Sequence, residues 1–423
     1  MTRAPGLEIV DPEPLMDEPP RLRVVGLSPG STATVRASWC VGGVPVSSEA
    51  TYVADGRGVV APSVQPSVGG SYVGHDPFGL WWSAGPDRGE APLRTGLGPV
   101  PVTVTVEEAG TVVSAGGLCR RWIGTRVEVT DLDEDGLVGL SFRPAGPGPF
   151  PAVMVLGGST GGLGGADAKA ALLASRGIAA LAVAYFAAEG RPPDLVDIPL
   201  EDLGAGLAWL RRRPHVDPER VGVLGSSRGG ELALLLGATL RGIRCVVAGA
   251  PSSVVWGGAG RGAAPGSAAW TFGGRRLSTM PPWLPERAAG VYAGDPVRLE
   301  PLFAEVLDDR QAVRAAEIAV ERVGAPVLLV SGGDDALWPS ARMAEAIERR
   351  ASCARTATRV RHLHYPAAGH LCATPPGTIL PPTIVHPLDG RRYLMGGTAA
   401  ANAAAAADSW ARTLHFLRAM GSS

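Results

Sequence analysis

The sequence predicts two domains of different class, an immunoglobulin-like antiparallel β-sandwich followed by a doubly wound α/β domain with a mostly parallel sheet. Three observations carry this prediction. The chain has 423 residues, enough for two domains or more. Its hydrophobic pattern changes near residue 145 from short alternating segments to continuous apolar runs, and a Pro- and Gly-rich stretch, PAGPGPFP, lies at that change. We therefore place the domains at residues 1–145 and 146–423.

The first domain is predicted from short segments in which β-branched residues alternate or cluster. Gly, Pro, Asp and Ser separate these segments, and no long helical periodicity interrupts them. Several short strands at such a spacing are typical of an antiparallel sandwich. The predicted strands lie at 21–27, 32–39, 50–55, 101–108, 125–131 and 137–144.

In the second domain, continuous apolar strands alternate with helical segments. A strand that is apolar throughout is buried on both faces, and strands separated by helices form right-handed βαβ units in a parallel sheet. The stretch 251–300 is rich in Gly and Trp, and we expect it to form a cap or a substrate-facing loop. The predicted strands lie at 151–158, 178–186, 220–226, 245–250, 325–332 and 359–366, and the helices at 169–176, 203–213, 231–240, 340–350 and within 398–420.

Composition and charge exclude several classes of protein. Hydrophobic residues make up 45% of the chain and charged residues 19%, which gives enough apolar surface for a core and excludes a disordered chain. The net charge of −1 leaves no basic surface for nucleic acid. The longest apolar run, 177–188, is shorter than the roughly twenty residues that cross a bilayer, so we expect no membrane span.

The cysteines and the N-terminal segment indicate a cytoplasmic protein. Five cysteines are scattered along the chain without a CxxC pair or a zinc spacing, so we expect reduced thiols and no metal site. The N-terminal segment is acidic and Pro-rich, and it lacks the basic and apolar regions of a secretory signal. The oligomeric state is not predicted by these features.

Residues 225–229 form the pattern GxSxG between a predicted strand and a predicted helix. Side chains at the two glycine positions would collide with the neighbouring strand and helix, and the sharp turn holds its serine in strained dihedrals above the sheet edge. The N-terminus of the following helix favours negative charge that develops beside this serine. The pattern therefore predicts Ser227 as a nucleophile.

A serine hydroxyl needs a general base at neutral pH, and histidine is the usual one. In this topology the base lies on the loop after the last core strand. His370 occupies that place and is the predicted base. His362 and His364 lie within the preceding strand, where we expect packing or surface roles. His386, in an irregular Pro-rich loop further along the chain, is the reserve candidate.

Two neighbouring carboxylates, Asp334 and Asp335, follow the predicted strand at 325–332. One is enough to fix the imidazole tautomer and to stabilise the imidazolium. We favour Asp335 as the acid and assign Asp334 to the turn, a frequent role for Asp after Gly. The resulting order of Ser227, Asp335 and His370 is the order found in α/β-hydrolases.

The oxyanion formed by attack of a serine needs two N–H donors. We expect one to be the backbone N–H of Arg228, the residue after the nucleophile. The other should lie in the Gly-rich loop at 156–165, because glycine lets backbone amides approach a ligand closely. We assign it to the backbone N–H of Ser159, with Gly158 and Thr160 as close alternatives. No cofactor or metal is required, since serine, histidine and aspartate supply the nucleophile, the base and the charge.

Both halves of the chain contain longer motifs. Those of the N-terminal half are VVGLSPGSTATVRASW, SEATYVADGRGVV and GGSYVGHDPFGLWWS, and those of the C-terminal half are FPAVMVLGGSTGGL, GSSRGGELAL, LLVSGGDDALWPS, YPAAGH and DSWARTLHFL. Together these motifs resemble the acyl-CoA thioesterase / bile acid-CoA:amino acid N-acyltransferase family, and the resemblance extends over nearly the whole chain. Two stretches depart from the family pattern, 251–300 and 373–397, where substrate pockets would lie.

The resemblance implies a β-sandwich followed by an α/β-hydrolase domain, a Ser or Cys nucleophile with Asp and His, and acyl thioester substrates. By motif position these roles fall on Ser227, Asp335 and His370. We expect serine-dependent hydrolysis of an acyl thioester, carried by CoA or by an acyl carrier protein, through an acyl-Ser227 intermediate. The alternatives are an acyltransferase or cyclising thioesterase that passes the acyl group to an amine or alcohol, a carboxylesterase, and a binding protein without catalytic activity.

Overall fold

The chain divides into two structural units. The computed structural model describes residues 4–86, 94, 96–134, 136–354 and 358–420. The first unit comprises Met1–Ile123 and Pro375–Pro381. The second comprises Gly124–Thr374 and Pro382–Ser423.

Two antiparallel sheets form the first unit. One sheet pairs the first two strands, and the other has the order fifth, fourth, third, sixth and seventh strand. The elements described in this unit are β1 (Gly6–Ile9), β2 (Leu22–Val25), β3 (Thr32–Val41), β4 (Val44–Val53), β5 (Gly69–Gly70), α1 (Gly79–Trp82), β6 (Val100–Glu108) and β7 (Thr111–Arg120).

Side chains from both sheets share one apolar core. Because successive side chains of a strand point to opposite faces, the alternating pattern of β3 buries Val35 on the side of this core. Val24 of β2, Tyr52 of β4 and Val104 of β6 belong to the same cluster. The predicted antiparallel sandwich is thus confirmed.

The second unit is built on an eight-stranded sheet flanked by helices. In chain order the strands of the unit are β8 (Glu128–Glu134), β9 (Leu137–Arg143), β10 (Phe150–Leu156), β11 (Ala179–Ala184), β12 (Ile198–Pro199), β13 (Val216–Ser226), β14 (Val246–Gly249), β15 (Trp270–Phe272), β16 (Arg275–Arg276), β17 (Val327–Gly332), β18 (Val360–Tyr365), β19 (Thr383–Val385) and β20 (Arg392–Leu394). Besides the eight-stranded sheet, two smaller sheets, β12-β15-β16 and β19-β20, hold the other described strands of this unit. Its helices are α2 (Ala166–Ser175), α3 (Leu200–Arg211), α4 (Arg228–Thr239), α5 (Pro285–Tyr292), α6 (Glu300–Val306), α7 (Arg310–Ala316), α8 (Ser340–Cys353) and α9 (Ala399–Arg418), with a 3₁₀ turn at Val320–Arg322.

The large sheet has the order β18-β17-β14-β13-β10-β11-β9-β8. The six strands from β18 to β11 pair in parallel, whereas β9 and β8 are antiparallel. Every residue of β11 is buried, as its continuous apolar sequence predicts. The chain turns to opposite sides of β10 to reach β11 and β13, and ligands of such sheets bind at the carboxyl ends of the strands beside this point. The predicted α/β-hydrolase architecture is confirmed.

The structure differs from the sequence prediction at the domain boundary. The predicted strands at 125–131 and 137–144, which we assigned to the sandwich, correspond to β8 and β9 of the large sheet. β9 pairs with the buried strand β11, from Val138 opposite Ala184 to Phe142 opposite Ala180. A half-buried antiparallel strand has the same alternating sequence whichever sheet it joins, so the pattern did not assign it. The second unit begins at Gly124, where residue 146 was predicted.

A second departure from the predicted boundaries is the segment Pro375–Pro381, which belongs to the first unit. The buried guanidinium of Arg120 donates hydrogen bonds to the carbonyls of Gly377 and Met16, which attaches this segment to the sandwich. A long-range hydrogen bond of this kind leaves no periodic signal in the sequence.

Among the described residues, no helix is long and apolar enough to cross a membrane.

Candidate active site

Ser227 lies at the sharp turn between β13 and α4. Its backbone has φ 58° and ψ −126°, a conformation that costs a residue with a side chain on the order of 1–3 kcal/mol. The Ser227 N–H donates to the carbonyl of Gly249 in β14 at 2.8 Å, which holds the turn against the sheet. Strain of this kind is characteristic of a serine that is lifted out of a strand–turn–helix connection.

Both glycines of the GxSxG pattern are required by close backbone contacts. A Cβ atom at Gly225 would lie 1.9 Å from the carbonyl oxygen of Gly229. A Cβ atom at Gly229 would lie 2.3 Å from the carbonyl oxygen of Gly157, in the loop after β10. Real Cβ atoms essentially never approach another atom this closely, so any other residue would displace the turn and with it Ser227.

Asp335 and His370 come together at the carboxyl ends of β17 and β18. The distance from His370 Nδ1 is 2.9 Å to Asp335 Oδ2 and 3.1 Å to Oδ1. Asp335 is 4% exposed, and it also accepts hydrogen bonds from Ser340 Oγ at 2.7 Å and from the Leu337 N–H at 3.0 Å. The carboxylate is therefore fixed in orientation and holds the imidazole by the nitrogen that a triad acid engages.

Asp334 has a different environment. It is exposed, and its Oδ2 accepts a hydrogen bond from the Gly397 N–H at 3.1 Å. Its own N–H donates to the carbonyl of Ala368. These contacts fit the turn role that the sequence suggests for Asp334.

The loop after β10 reaches Ser227. A Cβ atom at Gly158 would lie 3.4 Å from Ser227 Cβ and 3.9 Å from Ser227 Oγ. Arg228 is the first residue of α4, so its N–H has no partner within the helix and is free to meet an anion. The structure thus brings Gly158, the neighbour of Ser159, and the N-terminus of α4 to the same serine.

The described residues show no hydrogen bond between Ser227 and His370. Hydrogen bonds between a nucleophile and its base are often long without substrate and shorten when substrate binds. The structure therefore joins His370 to Asp335 directly, and among the described residues it shows no hydrogen bond from this pair to Ser227.

His386, His362 and His364, the other histidines considered in the sequence analysis, form no hydrogen bond with Asp335 in the described part of the structure but have partners elsewhere. His386 Nε2 lies 3.2 Å from Ser159 Oγ, and burial lowers the pKa of His386 below its ordinary value. His362 and His364 of β18 both contact the hydroxyl of Ser331, at 2.7 and 3.3 Å. This contact fits the packing role expected for the pair. His386, the reserve candidate, meets the loop after β10, whereas Asp335 is bound by His370.

A buried ion pair behind the turn at Ser227 left no signal that the sequence analysis used. Arg228 and Glu231 face one another on the first turn of α4, with NH1 and Oε2 3.1 Å apart. Glu231 accepts from Trp270 Nε1 at 2.7 Å and from the Trp256 N–H, and Arg228 donates to the Gly257 carbonyl at 3.0 Å. Burial raises the pKa of Glu231, and the charge of Arg228 opposes that rise. The pair attaches the 251–300 stretch to α4, and only its spacing of three residues was visible in the sequence.

Aromatic rings extend from the histidine into the 251–300 stretch and the helices after it. The indole of Trp338 lies edge-on to His370 with ring centroids 5.9 Å apart, and Phe303 is 5.8 Å from Trp338. Trp256 and Trp283 pack on Phe303 at 4.7 and 5.0 Å. These rings belong to or pack against buried apolar clusters of this unit, and Trp338 carries that packing to the imidazole of His370.

Comparison with known proteins gives the family. The model of the acyl-CoA thioester hydrolase/BAAT N-terminal region matches residues 17–134, and the model of the BAAT/acyl-CoA thioester hydrolase C terminal matches residues 198–421. Acyl-coenzyme A thioesterase 1 from Homo sapiens is 30% identical over 416 residues, which cover 95% of this chain and 93% of the relative. The chain belongs to the acyl-CoA thioester hydrolase/BAAT family.

One relative of this family member is named for acyl transfer. Acyl-coenzyme A amino acid N-acyltransferase 1 from Mus musculus is 28% identical over 421 residues, which cover 96% of this chain and 95% of the relative. Among solved structures, an esterase from the bacterial hormone-sensitive lipase family has a TM-score of 0.42 and 18% identity, covering 70% of this chain and 86% of that chain. The protein is an enzyme, and its family comprises thioesterases and acyltransferases.

Two buried cysteines of this acyl-CoA thioester hydrolase/BAAT family member lie in the second unit. Cys372 follows His370 by two residues, and Cys245 immediately precedes β14. Both are buried, and burial raises the pKa of each thiol, that of Cys245 to about 12. Neither is a thiolate at neutral pH, so neither is an activated nucleophile there. In the described ranges no group of three His, Cys, Asp or Glu side chains is placed to hold a metal ion.

Proposed function

We propose that this enzyme hydrolyses acyl-CoA thioesters through an acyl-Ser227 intermediate. One observation carries the proposal. A strained Ser227 lies on a strand–turn–helix connection after β13, and the His370–Asp335 pair follows β17 and β18 of the same sheet. Family membership supplies the substrate class, since the relatives are named for acyl-coenzyme A.

Acylation follows from the roles of these groups. His370 Nε2 takes the proton of Ser227 Oγ while its Nδ1–H donates to Asp335, and Oγ attacks the thioester carbonyl. The N–H of Arg228 and a second N–H from the loop after β10 stabilise the oxyanion. His370 then gives its proton to the departing sulfur, so that CoA leaves as a thiol and Ser227 is left as an oxyester.

Deacylation repeats these steps with water. His370 removes a proton from water, the hydroxide attacks the acyl-Ser227 carbonyl, and the same N–H groups stabilise the second oxyanion. The proton returns to Oγ as the carboxylic acid leaves. Each cycle consumes one thioester and one water, and it releases one acid and one thiol.

Transfer to an amine or alcohol is the second candidate, because the relatives include an N-acyltransferase. Chemistry favours hydrolysis. An acyl-serine is an oxyester, which amines attack less readily than an acyl-cysteine thioester, whereas a histidine base can activate water against either. The residue at the centre of the GxSxG turn is a serine, and Cys245 and Cys372 lie outside this turn.

The proposal has two further parts. The acyl group is carried by CoA, in preference to an acyl carrier protein, and the enzyme is located in the cytoplasm. The relatives support CoA by name. The five cysteines are unpaired in the structure, which supports a reducing compartment. A carboxylesterase would use the same groups, because the triad does not select its leaving group.

The first experiment measures free thiol and free acid from a panel of acyl-CoAs of varied chain length, in parallel with labelling by a fluorophosphonate. Ser227→Ala should lower turnover by several orders of magnitude and abolish labelling. His370→Ala should act similarly, whereas His386→Ala, the matched histidine variant, should keep most activity. Near-normal turnover by Ser227→Ala would refute the nucleophile, and a larger loss with His386→Ala than with His370→Ala would refute the base.

The second experiment identifies the acceptor. Acyl-CoA turnover is repeated with candidate amines and alcohols, and the products are separated and quantified. Free acid released at the same rate as thiol supports hydrolysis. Amide, ester or lactone with little free acid would replace hydrolysis by transfer.

A further inference from the structure

Lys169 is the only lysine of the chain, and its side chain ends at the nucleophile turn. It lies on α2, the helix that follows the loop after β10. Its Nζ donates to Ser226 Oγ at 2.6 Å, and Ser226 directly precedes Ser227. Lys169 is half-buried, and burial lowers the pKa of its ammonium to about 8.

The ammonium borders a small cavity below the turn. The cavity has a volume of about 10 Å³, room for about one water molecule. Ser226 and Gly249 line it, and Gly249 also accepts the hydrogen bond from the Ser227 N–H. Lys169 is thus connected to Ser227 through its neighbour in the chain and through the carbonyl that holds the turn.

The charge of Lys169 has no carboxylate partner within ion-pair distance among the described residues. β13, β14 and β17 contribute no charged side chain to the cavity, and α9 contributes hydroxyls. Asp408 of α9 is engaged by Tyr365 and Arg412, and Asp167 is buried on the same helix as Lys169.

Cys372, on the loop that also carries His370, is the titratable group whose charge would affect the pKa of the Lys169 ammonium. Burial raises the pKa of this thiol far above its ordinary value, and the charge of Asp335 raises it further. The thiol therefore stays neutral over the range in which Lys169 titrates. Lys169 is left as an uncompensated positive charge below the loops that carry Ser227 and His370.

We propose that Lys169 is a positioning residue for the catalytic serine, which it fixes through Ser226, and that its positive charge stabilises the oxyanion formed above the turn. This inference rests on the proposed function, in which Ser227 carries the acyl group. A fixed charge aimed at developing negative charge in a poorly hydrated site lowers the barrier without reorganisation. Asp335 and Lys169 then have complementary tasks: the first stabilises the imidazolium and the second stabilises the oxyanion.

Turnover should depend on the protonation state of Lys169. The protonated form of Lys169 is the active one, and it is lost as the pH rises through about 8. The kcat of the wild-type enzyme should therefore fall on the alkaline side with an apparent pKa near that value. A lysine with a purely structural role would not impose such a limb on kcat.

Lys169→Met tests the charge, because methionine has a similar length and no ammonium. We expect kcat at pH 7 to fall about 10-fold to 100-fold with KM within about twofold of wild type, and the alkaline limb to disappear. Ser226→Ala is the matched variant, which removes the hydrogen bond and keeps the charge. It should lose less activity and retain the limb. Wild-type kcat in Lys169→Met, or an alkaline limb that persists in it, would overturn the proposal.

A second measurement needs no variant. Because the chain has one lysine, selective ¹³C labelling of lysine gives a single side-chain signal, whose titration reports the pKa of Lys169 directly. A value that coincides with the alkaline limb of kcat supports the inference, and an alkaline limb at a pH where Lys169 does not titrate overturns it. The outcome for Ser227→Ala in the same panel tests the proposed function separately, since the lysine signal does not depend on which residue is acylated.

Discussion

Replacing Lys169 by Met is expected to stabilise the fold while it lowers activity. The ordinary pKa of lysine is 10.5, and burial lowers that of Lys169 to about 8. At 1.36 kcal/mol for each pKa unit, this difference means that the buried charge lowers the free energy of unfolding by about 3 kcal/mol. Loss of the hydrogen bond to Ser226 costs about 1 kcal/mol, so the net gain should be about 2 kcal/mol at pH 7.

The sign of this effect depends on pH in a defined way. Below pH 8 both the native and the unfolded chain hold the proton, and the native state bears the full cost of the buried charge. Between pH 8 and 10.5 the native state releases the proton first, so the cost fades. The advantage of Lys169→Met should therefore be largest at neutral pH and should shrink toward pH 10. With one lysine in the chain, no other lysine contributes to this difference.

Differential scanning calorimetry at pH 7 and pH 10 measures the effect. At pH 7 the midpoint for the unit that contains Lys169 should rise by a few degrees. Any separate transition of the first unit should stay in place, which provides an internal control. A lower midpoint for Lys169→Met at pH 7 would refute the reasoning, because it would mean that the folded protein stabilises the charge.

Three further predictions concern the candidate site. Asp335→Asn should lower kcat by two orders of magnitude or more and Asp334→Asn by less than about tenfold, as measured by thiol release; equal losses would mean that the acid is misassigned. Glu231→Gln should lower the free energy of unfolding by about 3 kcal/mol, because Arg228 would be left as an unpaired buried charge, and an unchanged thermal midpoint would contradict this. Gly225→Ala should abolish fluorophosphonate labelling, since its Cβ would meet a carbonyl oxygen at 1.9 Å; labelling at the wild-type rate would show that the turn tolerates a side chain.

Local sequence patterns predicted the elements of the second unit well, because buried parallel strands carry a strong signal. β11 is buried at every position and was visible as a continuous apolar run. β8 and β9 were misassigned, because a half-buried antiparallel strand alternates in the same way in a sandwich and at the edge of an α/β sheet. Their partner is chosen by tertiary packing, which a local pattern does not encode.

The pairing of His370 with Asp335 was predictable because topology fixes it. Parallel strands end at one edge of the sheet, so side chains on the loops after β17 and β18 meet there. Lys169 and the Arg228–Glu231 pair gave no comparable signal. A lysine in a helical segment usually faces solvent, and only the three-dimensional structure shows that this one ends below the nucleophile turn.

The strain at Ser227 provides the last test, because it separates the cost of the turn from the chemistry of the hydroxyl. Ser227→Ala and Ser227→Gly both remove the nucleophile, so both should be inactive. Alanine keeps the Cβ in the strained conformation with φ 58°, whereas glycine adopts it freely. The relief of about 1–3 kcal/mol is partly offset by the greater freedom of glycine in the unfolded chain. Ser227→Gly should therefore be more stable than Ser227→Ala by about 1 kcal/mol in urea unfolding. If the glycine variant were the less stable of the two, the backbone at Ser227 would hold no strain, and the argument from its dihedral angles to a nucleophile would fail.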